Sequence, residues 1–321
     1  MLNVQIDNRD GTLWELPVSE LTYKTSRIGK ASSIEFSFNK DGIYQDITFK
    51  INNGDIVRVL FDDMPVFYGY IFKVDEERDG PLKVIAYDQL RYLMYTDTYV
   101  FKNASATEII MKIAADSGLK SGQFADTVYK IPKTVEDGVK LMDIACNALA
   151  KTTIATNKIF VLFDDFGELT LRDAAEWKLD ISIGDVSLAY SYKLSRSIDS
   201  DTYNRIKVVQ DNKTTGKRDV YIAQDSTNIA NWGRLQLYQK VDDKMNAGQI
   251  NEILNRLIEA KNRESRTFSV EAIGDVHVRA GCYLSINIDA LSVNQYFLVE
   301  ECTHKFDGDD HTMSIELRVF G

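Results

Sequence analysis

From Val4 to Tyr87 the chain alternates apolar and polar residues at a period of two, and after Glu264 the same period runs to the end. Alternate side chains of an extended strand point to opposite faces, so this period commits both ends of the chain to β-structure with one buried face. Ile34-Phe36-Phe38, Ile56-Val57-Val59-Phe61 and Val66-Tyr68-Tyr70-Phe72 are the clearest stretches near the start, and Asn53-Gly54 and Asp79-Gly80-Pro81 punctuate them as turns. Near the end the stretches are Phe268-Val270, Tyr283–Ile288, Tyr296–Val299 and Met313–Val319. Short strands with no helical-period segment among them predict a small barrel or sandwich at each end, over residues 1–95 and 264–321.

Between them the period changes. Ser105-Ala106-Thr107-Glu108 is a capping box ahead of Ile109, Ile110, Ile113 and Ala114, and Gly118 supplies a stop, so a helix of about three turns is expected. A second helix is predicted from Val135 to about Lys151, with Thr134 as N-cap and Leu141, Met142, Ala145, Ala148 and Leu149 as its buried stripe. Ile159–Phe163, a turn over Asp164–Glu168 and Leu169-Thr170-Leu171 form a hairpin, which makes 96–190 a mixed α+β middle domain. In 191–263, strands Ile206–Val209 and Val220–Ala223 flank the polar loop of residues 211–219. A helix over 246–262 follows, with Ile250, Ile253, Leu254, Leu257 and Ile258 on one face. The fold class is therefore α+β, mainly β, with two similar small β-barrel-like domains flanking a mixed middle region.

The two ends also align with each other. Residues 52–75 lie on residues 279–302 without gaps, so that Gly54 meets Gly281, Ile56–Arg58 meet Tyr283–Ser285, Asp62 meets Asp289 and Ile71 meets Leu298. Each copy then continues through an Asp-Gly turn, Asp79-Gly80 or Asp307-Gly308, into one more strand. Two equivalent domains per subunit of a trimer would present six similar units around one axis.

With 321 residues and 44% hydrophobic content the chain can fill more than one core. Its start lacks the basic and apolar runs of a signal peptide, and no stretch approaches the ~18 apolar residues of a membrane span, so a cytosol-like compartment without membrane insertion is expected. Cys146, Cys282 and Cys302 are too few for a disulfide framework and are expected as reduced core thiols. The net charge of −10 is opposite to the basic stripe that phosphate binding needs, which argues against specific nucleic-acid binding.

Candidate chemistry is sparse. Adjacent acids recur at Asp62-Asp63, Glu76-Glu77, Asp164-Asp165, Asp242-Asp243, Glu300-Glu301 and Asp309-Asp310. Neighbours on a strand point apart, however, whereas glycoside hydrolysis needs two carboxylates facing each other across a bond. His304 and His311 with Asp307, Asp309 and Asp310 could hold a divalent ion, although an acid-tipped hairpin turn needs none to close. No GxSxG elbow, GxxxxGK[ST] loop or strand-borne GxGxxG occurs. No catalytic, cofactor-binding or metal residue is therefore assigned, and no cofactor is expected.

Residues 54–61 (GDIVRVLF) with 67–75 (FYGYIFKVD), 203–211 (YNRIKVVQD), Ser226–Tyr238, and a helix leading into 266–286 and then 311–317 (HTMSIEL) follow one another in an order that resembles the XkdQ/YqbQ-like proteins of phage tails and tail-derived bacteriocins. The resemblance implies a non-enzymatic baseplate hub of a contractile tail. Its two barrel-like domains would form a pseudo-six-fold homotrimeric ring joining the tail tube, or a tail-tube initiator, to the central spike. Other baseplate proteins would be neighbours. Assembly would take place in the bacterial cytoplasm, and the mature location would be the virion or tail particle. An acidic lining would suit a channel through which DNA passes. A tail-borne peptidoglycan hydrolase is the alternative reading of the paired acids.

Overall fold

The computed structural model describes residues 1–39, 48–78, 80–184, 187–199, 201–212, 216–241, 243 and 245–319. Strands make up 51% of the described residues and helices 20%, so the mainly β expectation is met. The chain divides into two compact units, one formed by 1–192 with 269–321 and the other by 193–268.

The larger unit opens with seven strands: β1 (Leu2–Asp7), β2 (Leu13–Leu16), β3 (Glu20–Ser26), β4 (Ser33–Phe38), β5 (Ile56–Phe61), β6 (Met64–Asp75) and β7 (Leu82–Tyr87). Alternate residues go inward, including Val4 and Ile6, Leu21 and Tyr23, Ile34 and Phe36. Burying each such large apolar side chain contributes about 1.5–3 kcal/mol. β6 reverses the sequence reading in one respect. Phe67, Gly69 and Ile71 are the buried residues, while Val66, Tyr68, Tyr70 and Phe72 lie half-buried on the other face.

Asp88 then starts a 3₁₀ turn over Gln89–Met94, and the α+β insert follows. It comprises β8 (Thr96–Phe101), β9 (Ala104–Ser105), α1 (Ala106–Asp116), β10 (Ser121–Phe124), β11 (Lys130–Ile131), β12 (Thr134–Lys140), α2 (Leu141–Thr156), β13 (Phe160–Asp164) and β14 (Leu169–Asp173). The capping box of α1 forms as read, with Glu108 N donating to Ser105 Oγ and Ser105 N to the Glu108 carboxylate. The expected start of the second helix is corrected. Residues 134–140 pair antiparallel with β8, and Gly138 sits at φ 64° in the irregular part of that ladder. Glycine in a helix interior costs about 1 kcal/mol, and Val135 is exposed where a helical stripe would bury it. The helix begins instead at Leu141, whose N–H donates to Tyr95 O.

Two more strands, β15 (Lys178–Gly184) and β16 (Ala189–Ser197), lead to the smaller unit. There β17 (Arg205–Asn212) pairs antiparallel with β18 (Lys217–Gln224) and parallel with β19 (Gln236–Val241), with α3 (Ser226–Trp232) in between. The residues 213–215 of the expected loop lie outside the described set. The helix α4 (Ala247–Lys261), with an Asn246–Gln249 capping box, buries Ile250 and Leu254 against Ile206 and Val208. The chain then returns through β20 (Ser265–Ile273), β21 (Tyr283–Ile288), β22 (Val293–Asp307) and β23 (Asp310–Arg318).

Two similar barrel-like domains were expected; the strands of both ends join one sheet of thirteen, and no closed barrel forms among the described residues. The order is β16-β20-β23-β22-β3-β4-β7-β6-β5-β1-β2, with β21 and β15 branching from β22. Within it, β3-β4-β7-β6-β5 and β16-β20-β23-β22-β21 are the same five-strand arrangement twice. The details repeat too. Gly54 and Gly281 both take positive φ, 92° and 100°. Gly54 N donates to Ile71 O and Ile71 N to Asp55 O, while Gly281 N donates to Val299 O and Val299 N to Cys282 O. Each copy carries an irregularity one residue on, between Ile71 and Lys73 and between Val299 and Glu301. Ile71 thus matches Val299 and not Leu298, because the β21–β22 connection is longer than the β5–β6 turn.

Candidate functional site

The expected ion site at the last hairpin is arranged differently. Asp307 pairs with Asp310 at the tip, whereas His304 and His311 lie further down the strands and face each other. His304 Nε2 is 2.8 Å from Val278 O, so it carries the proton and donates. Its Nδ1 then accepts from His311 Nε2 at 3.0 Å. His311 also stacks on Phe306 with ring centroids 4.1 Å apart. Burial pulls both histidines down to about 4, which keeps them neutral. Among the described residues no group of three or more His, Cys, Asp or Glu is placed to hold a metal.

The paired acids are dispersed. Asp62 and Asp63 form the β5–β6 turn with φ 49° and 63°. Glu300 receives Arg27 through two bonds, Nε at 2.8 Å and a terminal nitrogen at 3.0 Å, while Glu301 receives Lys30 Nζ at 2.7 Å. Asp242 lies outside the described residues. Cys282 and Cys302 are buried free thiols, and burial raises the pKa of each.

Sequence reasoning missed a buried carboxylate pair, Asp88 and Asp164. Asp88 accepts from Ser32 N at 2.9 Å and Leu90 N at 3.0 Å, which caps the 3₁₀ turn. Asp164 accepts from Gln89 Nε2 and from Gly167 N, each at 2.7 Å. Arg279 donates to Asp164 O at 3.0 Å and lies 4.5 Å over the Phe163 ring. Burial and the second carboxylate push Asp88 up to about 7, and burial raises Asp164. Their 76-residue separation gives no local signal. The pair sits beside a cleft of about 560 Å³ lined by Arg58, Tyr68, Tyr70, Lys120 and Phe166, but neither carboxylate lines it. Arg9, Arg58 and Arg91 cover Tyr70, Tyr68 and Phe72 at 5.2, 5.8 and 5.5 Å. The carboxylates are held by donors and serve to fix loops, with no nucleophile–base geometry between them.

The most distinctive contact is the seam between the two five-strand groups. β22 pairs antiparallel with β3, from Glu301↔Ser26 to Asp307↔Glu20. The Arg27–Glu300 fork closes one end, and Thr25 Oγ1 accepts from Ala280 N at 3.0 Å. A forked guanidinium–carboxylate pair adds geometric specificity to the backbone ladder.

A family model described as YQBQ-like matches residues 21–318. The Bacillus subtilis protein named phage-like element PBSX protein XkdQ is 29% identical over 315 residues, covering 95% of this chain and 94% of the relative. Bacillus subtilis YqbQ is 29% identical over 276 residues, covering 84% and 82%. The crystal structure of a 43 kDa tail protein of prophage MuSo2 from Shewanella oneidensis superposes with a TM-score of 0.71 at 13% identity, covering 99% of this chain and 98% of that one. Further structures of this fold come from a prophage tail and a phage baseplate. The chain belongs to the YQBQ-like family.

Proposed function

We propose that this chain is a structural, non-enzymatic hub protein of a phage-like contractile-tail baseplate. Three copies form a pseudo-six-fold ring that joins the tail tube to the central spike, with other baseplate proteins around it. The observation that carries this reading is the five-strand group present twice in one sheet, since three copies then offer six similar units. The family membership and the tail-protein fold support it. In this reading the regions 1–95 and 264–321 are the paired ring-forming domains, the second completed by β16, and the rest of 96–190 and 191–263 is appended to them. No helix among the described residues is long and apolar enough to cross a membrane. The chain is assembled in the bacterial cytoplasm and ends in the tail particle. The charge of −10 suits an acidic bore that does not hold DNA, and a neutral or basic bore in an imaged ring would contradict this.

Co-expression with the tail-tube and spike proteins of the same gene cluster tests the reading. A hub co-purifies with both, and a chain that binds neither is not one. Cell-wall zymography separates off the hydrolase alternative. A clearing zone that Asp164→Asn abolishes would overturn the non-enzymatic assignment, and a blank gel is expected.

A further inference from the structure

The smaller unit is charged opposite to the chain as a whole. Residues 193–268 hold 14 Lys and Arg against 10 Asp and Glu, although the whole chain is at −10. The sheet of this unit, in the order β18-β17-β19, carries α4 on one face, packed on Ile206 and Val208. Alternation puts their neighbours on the opposite face, where the register sets Lys207 between Ile222 and Tyr238, and Val209 between Val220 and Lys240. Arg205 and Asp211 lie on the same face, two residues before Lys207 and two after Val209.

That face has the marks of a covered one. β17 and β19 run parallel, and parallel pairing is typical of sheets buried on both sides. A sheet face meant for water reads polar, yet Val220, Ile222 and Tyr238 stand on this one at 50, 45 and 50% exposure. Three strands at about 4.8 Å spacing are about 10 Å across, the diameter of one helix, and α4 alone covers the other side. The open face has room for one more helix.

The charges on the face set the character of that helix. Asp211, the one acid at these positions, already receives Arg218 Nε at 2.8 Å and Lys240 Nζ at 2.5 Å. Among the described residues Lys207 has no carboxylate partner, and Arg205 donates to the neutral Gln224 side chain at 2.8 Å. Two uncompensated cations beside an apolar stripe match a helix whose own apolar stripe is flanked by carboxylates. The described helices of this chain do not supply it, since α1, α2 and α4 bury their own stripes and α3 has seven residues.

We propose that the open face of the β18-β17-β19 sheet docks an acidic amphipathic helix of another protein. The apolar stripe of that helix lies on Val220, Ile222 and Tyr238, and its flanking carboxylates meet Lys207 and Arg205. The contact goes beyond the ring reading above and does not depend on it.

The probe is a fluorescein-labelled helical peptide about five turns long, with Leu at i, i+3, i+4 and i+7 positions flanked by Glu, and a second version carrying Lys in place of every Glu. Anisotropy titration of the full chain should show binding of the Glu peptide that weakens as salt rises. Lys207→Glu is expected to raise its Kd at least about tenfold, and Ile222→Ser at least about fivefold, each with an unchanged urea midpoint because both side chains stand on the open face. The Lys peptide is expected to bind the Lys207→Glu chain better than the unmodified one. A Glu peptide that does not bind, or that binds all three chains alike, overturns the proposal. A labelled oligothymidylate that binds where the peptide does not, and is released by Lys207→Glu, would also overturn it, by making the face a nucleic-acid site.

Discussion

His304 is buried at 1% exposure and held neutral, and this fixes the direction of its pH dependence. Its folded pKa of about 4 lies below the ordinary 6.5, so its contribution is complete above pH 6.5. As pH falls from 6.5 through 4 the unfolded chain takes the proton first, and about 3 kcal/mol of stability is lost. Asp88 runs the other way. Its folded pKa of about 7 lies above the ordinary 3.8, so its contribution is complete below 3.8 and is lost as pH rises through 7. Urea unfolding should therefore show the penalty of His304→Gln shrinking from pH 7 to 4.5, and that of Asp88→Asn shrinking from pH 4.5 to 8. Parallel pH profiles for the two variants would contradict these assignments. The matched turn glycines differ in a measurable way as well. A Cβ at Gly54 meets open space, whereas one at Gly281 lies 2.6 Å from Val161 Cγ1. Gly54→Ala should cost about 1–2 kcal/mol from backbone strain alone, and Gly281→Ala about 1–3 kcal/mol more from overpacking.

At the scale of elements, what could be read from the chain depended on how local the cause was. The α1 capping box spans four residues and α4 carries its own stripe, so both were legible. β12 was misread as helix because its strand form comes from β8, more than thirty residues away. The one-residue lengthening between the two repeats lies in a turn whose two copies share only their first residue, Asp62 and Asp289. Helix α3 was missed because seven residues carry little periodicity, and the structure shows it held by long-range bonds. Asn204, fully buried, donates to Asn228 O at 3.2 Å and Gly233 O at 2.7 Å and accepts from Leu235 N at 2.9 Å. Asn204→Ala leaves these backbone groups unpartnered at about 1–3 kcal/mol each before relaxation. Hydrogen exchange should quicken first across 226–235, and unchanged protection there would show that Asn204 does not hold the segment.

For the whole molecule, the period of two made β-structure legible at both ends, and the Gly54–Gly281 correspondence exposed the duplication. The fusion of the two ends into one sheet was not legible. Pairing of β3 with β22 joins residues some 280 positions apart, and alternation says which face of a strand is buried but not which strand lies beside it. The buried Asp88 and Asp164 were hidden for the same reason. The most direct measurement is the mass of the purified chain by light scattering across a concentration series, alone and with the tail-tube and spike proteins. A ring of three predicts a species near three times 36.5 kDa, alone or on adding a partner. A 36.5 kDa particle that persists at every concentration and ignores both partners would contradict it.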